Sequence, residues 1–149
     1  MKRISVIGRS KILRVLLLSA AAVGVVLLAG ALGRKSTSVQ RVKTNEDRVR
    51  YVESLGWKVE TAPAAEKEIT LPEVFPDVLK NYNEIQKQQG FDLEKYSGKK
   101  IMMYTYDVLN YPEDENVQCS LYVYKNRIIG GDLHSTAFSG FMKPLTDRG

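Results

Sequence analysis

At 149 residues the chain has room for one domain and a short appendage. Its formal net charge of +5 comes entirely from Lys2, Arg3, Arg9, Lys11 and Arg14; beyond these five, 17 basic side chains meet 17 acidic ones. A nucleic-acid reader needs a basic face on its folded part to displace counterions from phosphates, so the balanced remainder excludes nucleic acid as the main partner.

After the basic tail, residues 1–14, Val15 to Leu32 is an uncharged and mostly aliphatic run of 18 residues. As a helix it reaches roughly 27 Å, close to the ~30 Å hydrocarbon core of a bilayer. A helix apolar all round would need a far larger protein to bury it. The expectation is a single-pass transmembrane anchor over 15–33. A cleaved signal peptide is the alternative, since Ala29-Gly30-Ala31 has the A-x-A form, but the run exceeds the ~7–15 residues of a usual signal h-region, which favours retention. The dense positive charge before the run, with no acid until Glu46, orients the N-terminus to the cytoplasm and the rest outside the cell membrane. A lone cysteine in that compartment, Cys119, forms no intramolecular disulfide, so the domain must be held by its core.

Residues 34–44, polar and basic, read as a stalk leading to an extracytoplasmic domain over 45–149. Thr44 with Asp47 matches a capping box, and Val49, Val52 and Leu55 follow at helical spacing, which predicts a helix from Asn45 to Leu55. Gly56 stops it, and Trp57 takes the place where a hydrophobic side chain closes a Schellman motif against Val52. "WKVET" and "KEITL" read as short strands. A second helix is predicted from Pro76, with Val78, Leu79, Tyr82, Ile85 and Gln89 on its inner face, ending at Gly90 and Phe91. "DLEKYSGKK" is then a loop. Period-two patterning marks "IMMYTYDVLNY" and "VQCSLYVY" as strands, with "PEDEN" as the turn between them. A two-residue turn at Lys125-Asn126 leads into the return strand "RIIGGDLHS". The fold class is α+β: two helices packed on a mainly antiparallel sheet of about five strands, preceded by one transmembrane helix.

"NYNEIQKQQGFDLEKYSGKK", "YTYDVLNYP", "LYVYKNRIIGGD" and "GFMKPL" resemble, across about residues 46–145, a domain-of-unknown-function family of Gram-positive bacteria whose members are typically anchored at the N-terminus. The resemblance implies an extracytoplasmic α+β domain without an assigned activity. It supplies no catalytic residue and argues against an essential imidazole at His134.

A catalytic constellation rests on strand register. With Lys125-Asn126 as the turn, Val123 faces Ile128, Leu121 faces Gly130, Cys119 faces Asp132 and Val117 faces His134. Cys119, Asp132 and His134 would then be neighbours, the ingredients of thiol catalysis. A bulge at Gly130-Gly131 would instead turn Asp132 and His134 to the other face. Metal-ligand spacing, a Walker loop and a dinucleotide fingerprint are all missing from the sequence, so neither metal nor cofactor is expected. The function expected is a non-catalytic, membrane-tethered binding or regulatory module for an envelope protein, peptide or polymer. Tyr104, Tyr106, Tyr122 and Tyr124 are its candidate platform, on the sheet face left open by the second helix. The alternatives are a thiol enzyme using Cys119, His134 and Asp132, and a structural spacer in an envelope complex.

Overall fold

The computed structural model describes residues 40–148, so the basic tail, the expected anchor over 15–33 and most of the stalk lie outside the described residues. Helix α1 (Asn45–Ser54) is followed by β1 (Ala65–Thr70), α2 (Asp77–Lys87), a 3-10 turn (Leu93–Tyr96), β2 (Lys100–Asp107), β3 (Val117–Tyr124), β4 (Arg127–Ser135) and the short β5 (Met142–Lys143). The strands form one antiparallel meander in the order β1-β2-β3-β4-β5. Among the described residues no helix is long and apolar enough to cross a membrane.

Both helices end as their sequences predict. Thr44 accepts from the Asp47 amide while Asp47 accepts from the Thr44 amide, which satisfies two donors at the start of α1. At the other end the Gly56 amide donates to the Glu53 carbonyl and the Trp57 amide to that of Val52. Gly56 carries φ +92°, a conformation costly for any residue with a Cβ, so glycine is needed there. Trp57 is thereby turned inward, 2% exposed, and its Nε1 donates to the Leu145 carbonyl at 2.7 Å. Gly90 and Phe91 close α2 with the same hydrogen-bond pattern, to Lys87 and Gln86.

Alternation along β3 gives the sheet two dry faces. Val117, Cys119, Leu121 and Val123 pack with Val52, Trp57 and Tyr106 beneath α1. On the other face Ile69, Tyr122 and Tyr124 pack with Leu79, Tyr82 and Leu93 of α2 and the 3-10 turn. The helices therefore cover opposite faces, which gives three layers.

Several expectations are corrected. "WKVET" is not a strand: Val59 makes a single bridge to Val108, and the fifth strand is Met142–Lys143. "DLEKYSGKK" contains a 3-10 turn, capped by Asp92, which accepts from the Glu94 amide. The domain begins before Asn45. Arg41 bridges Arg127, and Val42 is 1% exposed in the α1 core. On α2, Val78 is 80% exposed, and the helix instead buries Asn83 and Gln86; Gln89, just past its end, is buried as expected.

Asn83 accepts the Leu93 amide and donates to Asp92, which holds the 3-10 turn, while the two glutamines serve the sheet. Strand β4 needs partners along its outer edge, and they come from three sources. Near its start the Ile128 amide donates to the Gln40 carbonyl and the Val42 amide to the Asn126 carbonyl. Near its end β5 pairs with Leu133 and His134. Between them the Gly131 amide donates to Gln86 Oε1 at 2.8 Å, and Gln89 Nε2 donates to the Gly131 carbonyl at 2.9 Å. Gln89 Oε1 also accepts the Leu145 amide at 2.8 Å. Side-chain amides here replace a missing strand, which buried backbone groups require. Gly131 permits the approach, because a Cβ there would lie 2.7 Å from the Ser120 carbonyl oxygen and 2.5 Å from Leu145 Cδ1.

Candidate functional site

A bulge in β4 decides which side chains meet. Val123 pairs with Ile128 as expected, but Tyr122 pairs with Gly130, which leaves Ile129 as an extra residue. From there Cys119 pairs with Leu133, Ser120 with Asp132 and Gln118 with His134. The bulge falls one residue ahead of the two glycines, and its effect is the face reversal considered for them. Asp132 and His134 stand on the α2 face, Cys119 on the α1 face. The expected Cys119–Asp132–His134 grouping is therefore not formed. Cys119 is fully buried, and burial, with the Asp132 charge adding to it, pushes its thiol well above the ordinary range. It is a core side chain in this fold.

Asp132 and His134 do meet each other, with a partner that the sequence reading missed. Asp132, 1% exposed, accepts from His134 Nδ1 at 2.8 Å through one oxygen and from the Tyr82 hydroxyl through the other. An ionised carboxylate only accepts, so Nδ1 carries a proton and Nε2 of the neutral ring keeps its lone pair. Burial first, and the Asp132 charge second, drive the Tyr82 phenol far above its usual value. The same two causes raise Tyr122 to about 12, and Tyr122 meets Tyr82 edge-on at 6.1 Å. Both phenols stay protonated, and Tyr82 is the donor to Asp132.

The hydrogen bond to Asp132 raises the pKa of His134 above the ordinary imidazole value of about 6.5, against the opposing effect of burial. A folded pKa above the unfolded one stabilises the domain in full below the unfolded value, and the contribution fades as pH rises through the folded value. A proton NMR titration of the His134 ring in the full chain should therefore place its midpoint above 6.5. In Asp132→Asn only burial remains, and the midpoint should fall to 6.5 or below. An unchanged midpoint would show that the carboxylate does not control the ring.

These groups lie beside a groove that α2 forms with the sheet. One part, about 500 Å³, is lined by Ile69, Leu71, Leu79, Ile85, Leu93 and Tyr122. Its continuation, about 390 Å³, shares Tyr122 and Met142 and adds Thr105, Ser120, Asp132 and His134. Apolar walls with a few convergent polar groups are the ordinary makeup of a ligand site. The Ser120 hydroxyl is paired with that of Thr105 at 3.2 Å. Among the described residues no cluster of His, Cys, Asp or Glu is disposed to hold a metal ion.

The four tyrosines are divided by the register. Tyr104 and Tyr106 pair with Leu121 and Cys119 and so lie on the α1 face. There Arg48 stacks on Tyr104 at 3.6 Å, and the buried Tyr106 hydroxyl joins Arg48 Nε to Asn45 Oδ1. Tyr122 lines the α2 groove, and Tyr124 packs edge-on with Tyr96 further along that face. A shared platform of all four is not formed.

Residues 51–133, more than half of the chain, match the family described as Domain of unknown function (DUF4830), and the chain belongs to that family. No curated protein and no solved structure matches it.

Proposed function

We propose that this member of the DUF4830 family is a membrane-tethered binding module of the Gram-positive cell envelope, with its domain outside the membrane. The ligand expected is a peptide or envelope component with an apolar group for the α2 groove and a hydrogen-bonding group for the His134–Asp132 pair. The observation that supports this reading is the pair of adjoining pockets, where the apolar one shares Tyr122 and Met142 with one lined by a buried carboxylate held by Tyr82 and His134. The Ser120 hydroxyl bonds to Thr105, and Cys119 lies on the other face, so binding accounts for the geometry better than hydrolysis does.

The groove is tested by titrating small aromatic amines, ring and ammonium in one molecule, into the full chain in micelles. The methyl signals of Ile69, Ile85 and Met142 should move together with the His134 ring. Val78→Asp, at an exposed rim position, should weaken binding by on the order of tenfold, as about 1.4 kcal/mol of lost apolar contact would. Shifts confined to other surfaces would sink the groove reading.

Tethering has its own test. Arg41 and Val42 are paired to the hairpin, so cleavage that frees the domain is expected before Gln40. Trypsin added to wall-stripped cells should release the domain by cutting at Arg34 or Lys35. A fully protected chain would reverse the orientation, and a free protein beginning at Leu32 would identify 29–31 as a cleavage site.

A further inference from the structure

The domain is neutral as a whole, yet its charge is not evenly spread. The β3–β4 hairpin and the segment beside it form a cleft of about 430 Å³ lined by Arg41, Lys43, Lys125 and Arg127, with the rings of Tyr96 and Tyr124 as its walls. No acidic side chain lines it. Among the described residues none of these four cations takes part in a salt bridge. Two neighbouring acids are engaged elsewhere: Asp47 in the α1 cap and with Arg50, Asp92 with Asn83 and Lys95.

Two features indicate that this concentration of charge serves a ligand. Like charges gathered in a concave site repel one another and focus a positive potential that an anion relieves. In addition, Lys125 and Asn126 hold φ +46° and +60°, the two left-handed positions of a type I′ turn. Asparagine suits such a position, whereas a lysine is strained in it, and residues kept in strained conformations cluster at functional sites. The anion chemistry that fits is phosphate, which arginine grips through paired N–H donors, while the tyrosine hydroxyls and ammonium groups can supply further donors.

We propose that this cleft binds the phosphate of an anionic phospholipid headgroup and so seats the domain on the membrane. The length of chain supports the lipid as source. Leu32 and Arg41 are nine residue steps apart, and fully extended these span no more than about 32 Å. The cleft lies beside the first described residues, since Gln40 and Val42 hydrogen-bond to Ile128 and Asn126. The lipid source, though not the anion chemistry, rests on the tethered reading above.

The test uses the full chain in phosphatidylcholine nanodiscs, titrated with short-chain phosphatidylglycerol, short-chain phosphatidylcholine or inorganic phosphate. NMR signals of the Tyr124 ring and Arg127 Nε report on the cleft. Saturable shifts are expected with phosphatidylglycerol and none with phosphatidylcholine. The double variant Arg41→Gln/Arg127→Gln, both exposed positions, should weaken the affinity on the order of 25-fold, about fivefold for each basic residue removed. The absence of a saturable shift, or an equal shift in the double variant, overturns the site. Inorganic phosphate binding as tightly as phosphatidylglycerol overturns the lipid source. Tethering is read separately by alkaline carbonate extraction; a chain that carbonate strips from membranes removes the lipid source, while the titration still decides whether the anion site exists.

Discussion

Trp57→Ala should lower the unfolding free energy of the domain by about 3–5 kcal/mol, the usual cost of truncating a buried tryptophan. The indole is almost wholly buried, stacks on Tyr111 at 5.6 Å, and through Tyr111 reaches Phe141 at 5.0 Å. Its Nε1 also satisfies the Leu145 carbonyl. Truncation would open a cavity between α1 and the last residues and leave that carbonyl unpaired, a second cost on top of the lost contacts. Because a domain of this size has only about 5–15 kcal/mol in total, the variant should be partly unfolded at modest urea. Circular dichroism of urea unfolding, with the full chain in micelles, provides the measurement. Trp57→Phe keeps most of the ring contact but not the N–H, and should lose about 1–2 kcal/mol. A loss below about 1 kcal/mol in the alanine variant would mean that the stack contributes far less than its burial implies.

Gln89→Met should be the second most damaging change, at about 2–4 kcal/mol, although the side chains are similar in length. Methionine fills the space but offers no amide, so the Gly131 carbonyl and the Leu145 amide both lose their partner, each at about 1–3 kcal/mol before relaxation. Gln86→Met removes one bond, to the Gly131 amide, and also removes an Nε2 that has no partner among the described residues. It should therefore cost less, about 1 kcal/mol. Urea unfolding gives the order of the two variants, and hydrogen exchange at Leu145 should accelerate in Gln89→Met alone. Equal losses would show that the amides only fill volume.

Local chemistry was legible in the sequence. Thr44 with Asp47, Gly56 with Trp57, and Gly90 with Phe91 each operate within a few residues of chain, so spacing alone identifies them. The hairpin at Lys125-Asn126 and the alternation of β3 were legible for the same reason. The buried face of α2 was legible only in part, because apolar periodicity selects Val78 and passes over Asn83 and Gln86, although it does reach Gln89 just beyond the helix. What places Gln86 and Gln89 inside is a vacancy in the ladder beside Gly131, and what places Asn83 there is the 3-10 turn, whose Leu93 amide it accepts; both are tertiary demands with no local trace. The spacing of these three amides at every third residue was the available signal.

The same distinction governs the candidate site. Asp132 and His134, two apart on one strand, were rightly placed side by side, since that needs only the strand's pleat. Their third neighbour depended on one extra residue, Ile129, in the ladder, and a shift of one exchanges every facing side chain. Cys119 was lost to the other face in this way. Tyr82 had been placed on the inner face of its helix, but nothing in the sequence aimed its hydroxyl at a carboxylate 50 residues away.

The closing of β4 also bears on how the domain assembles. Every strand of the meander neighbours the next in sequence, so each hairpin can form as soon as its two arms exist, a low-contact-order route that favours rapid folding. The exposed flank of β4 follows a different schedule. Its partners are the stretch around Gln40–Val42, more than eighty residues earlier, the side-chain amides of Gln86 and Gln89, and Met142–Lys143. During synthesis the early stretch must wait until β4 is complete, and until then a nearly finished sheet offers an open backbone row to any other chain. The interval before both ends of the domain close on that strand is the period of greatest exposure to strand exchange between copies.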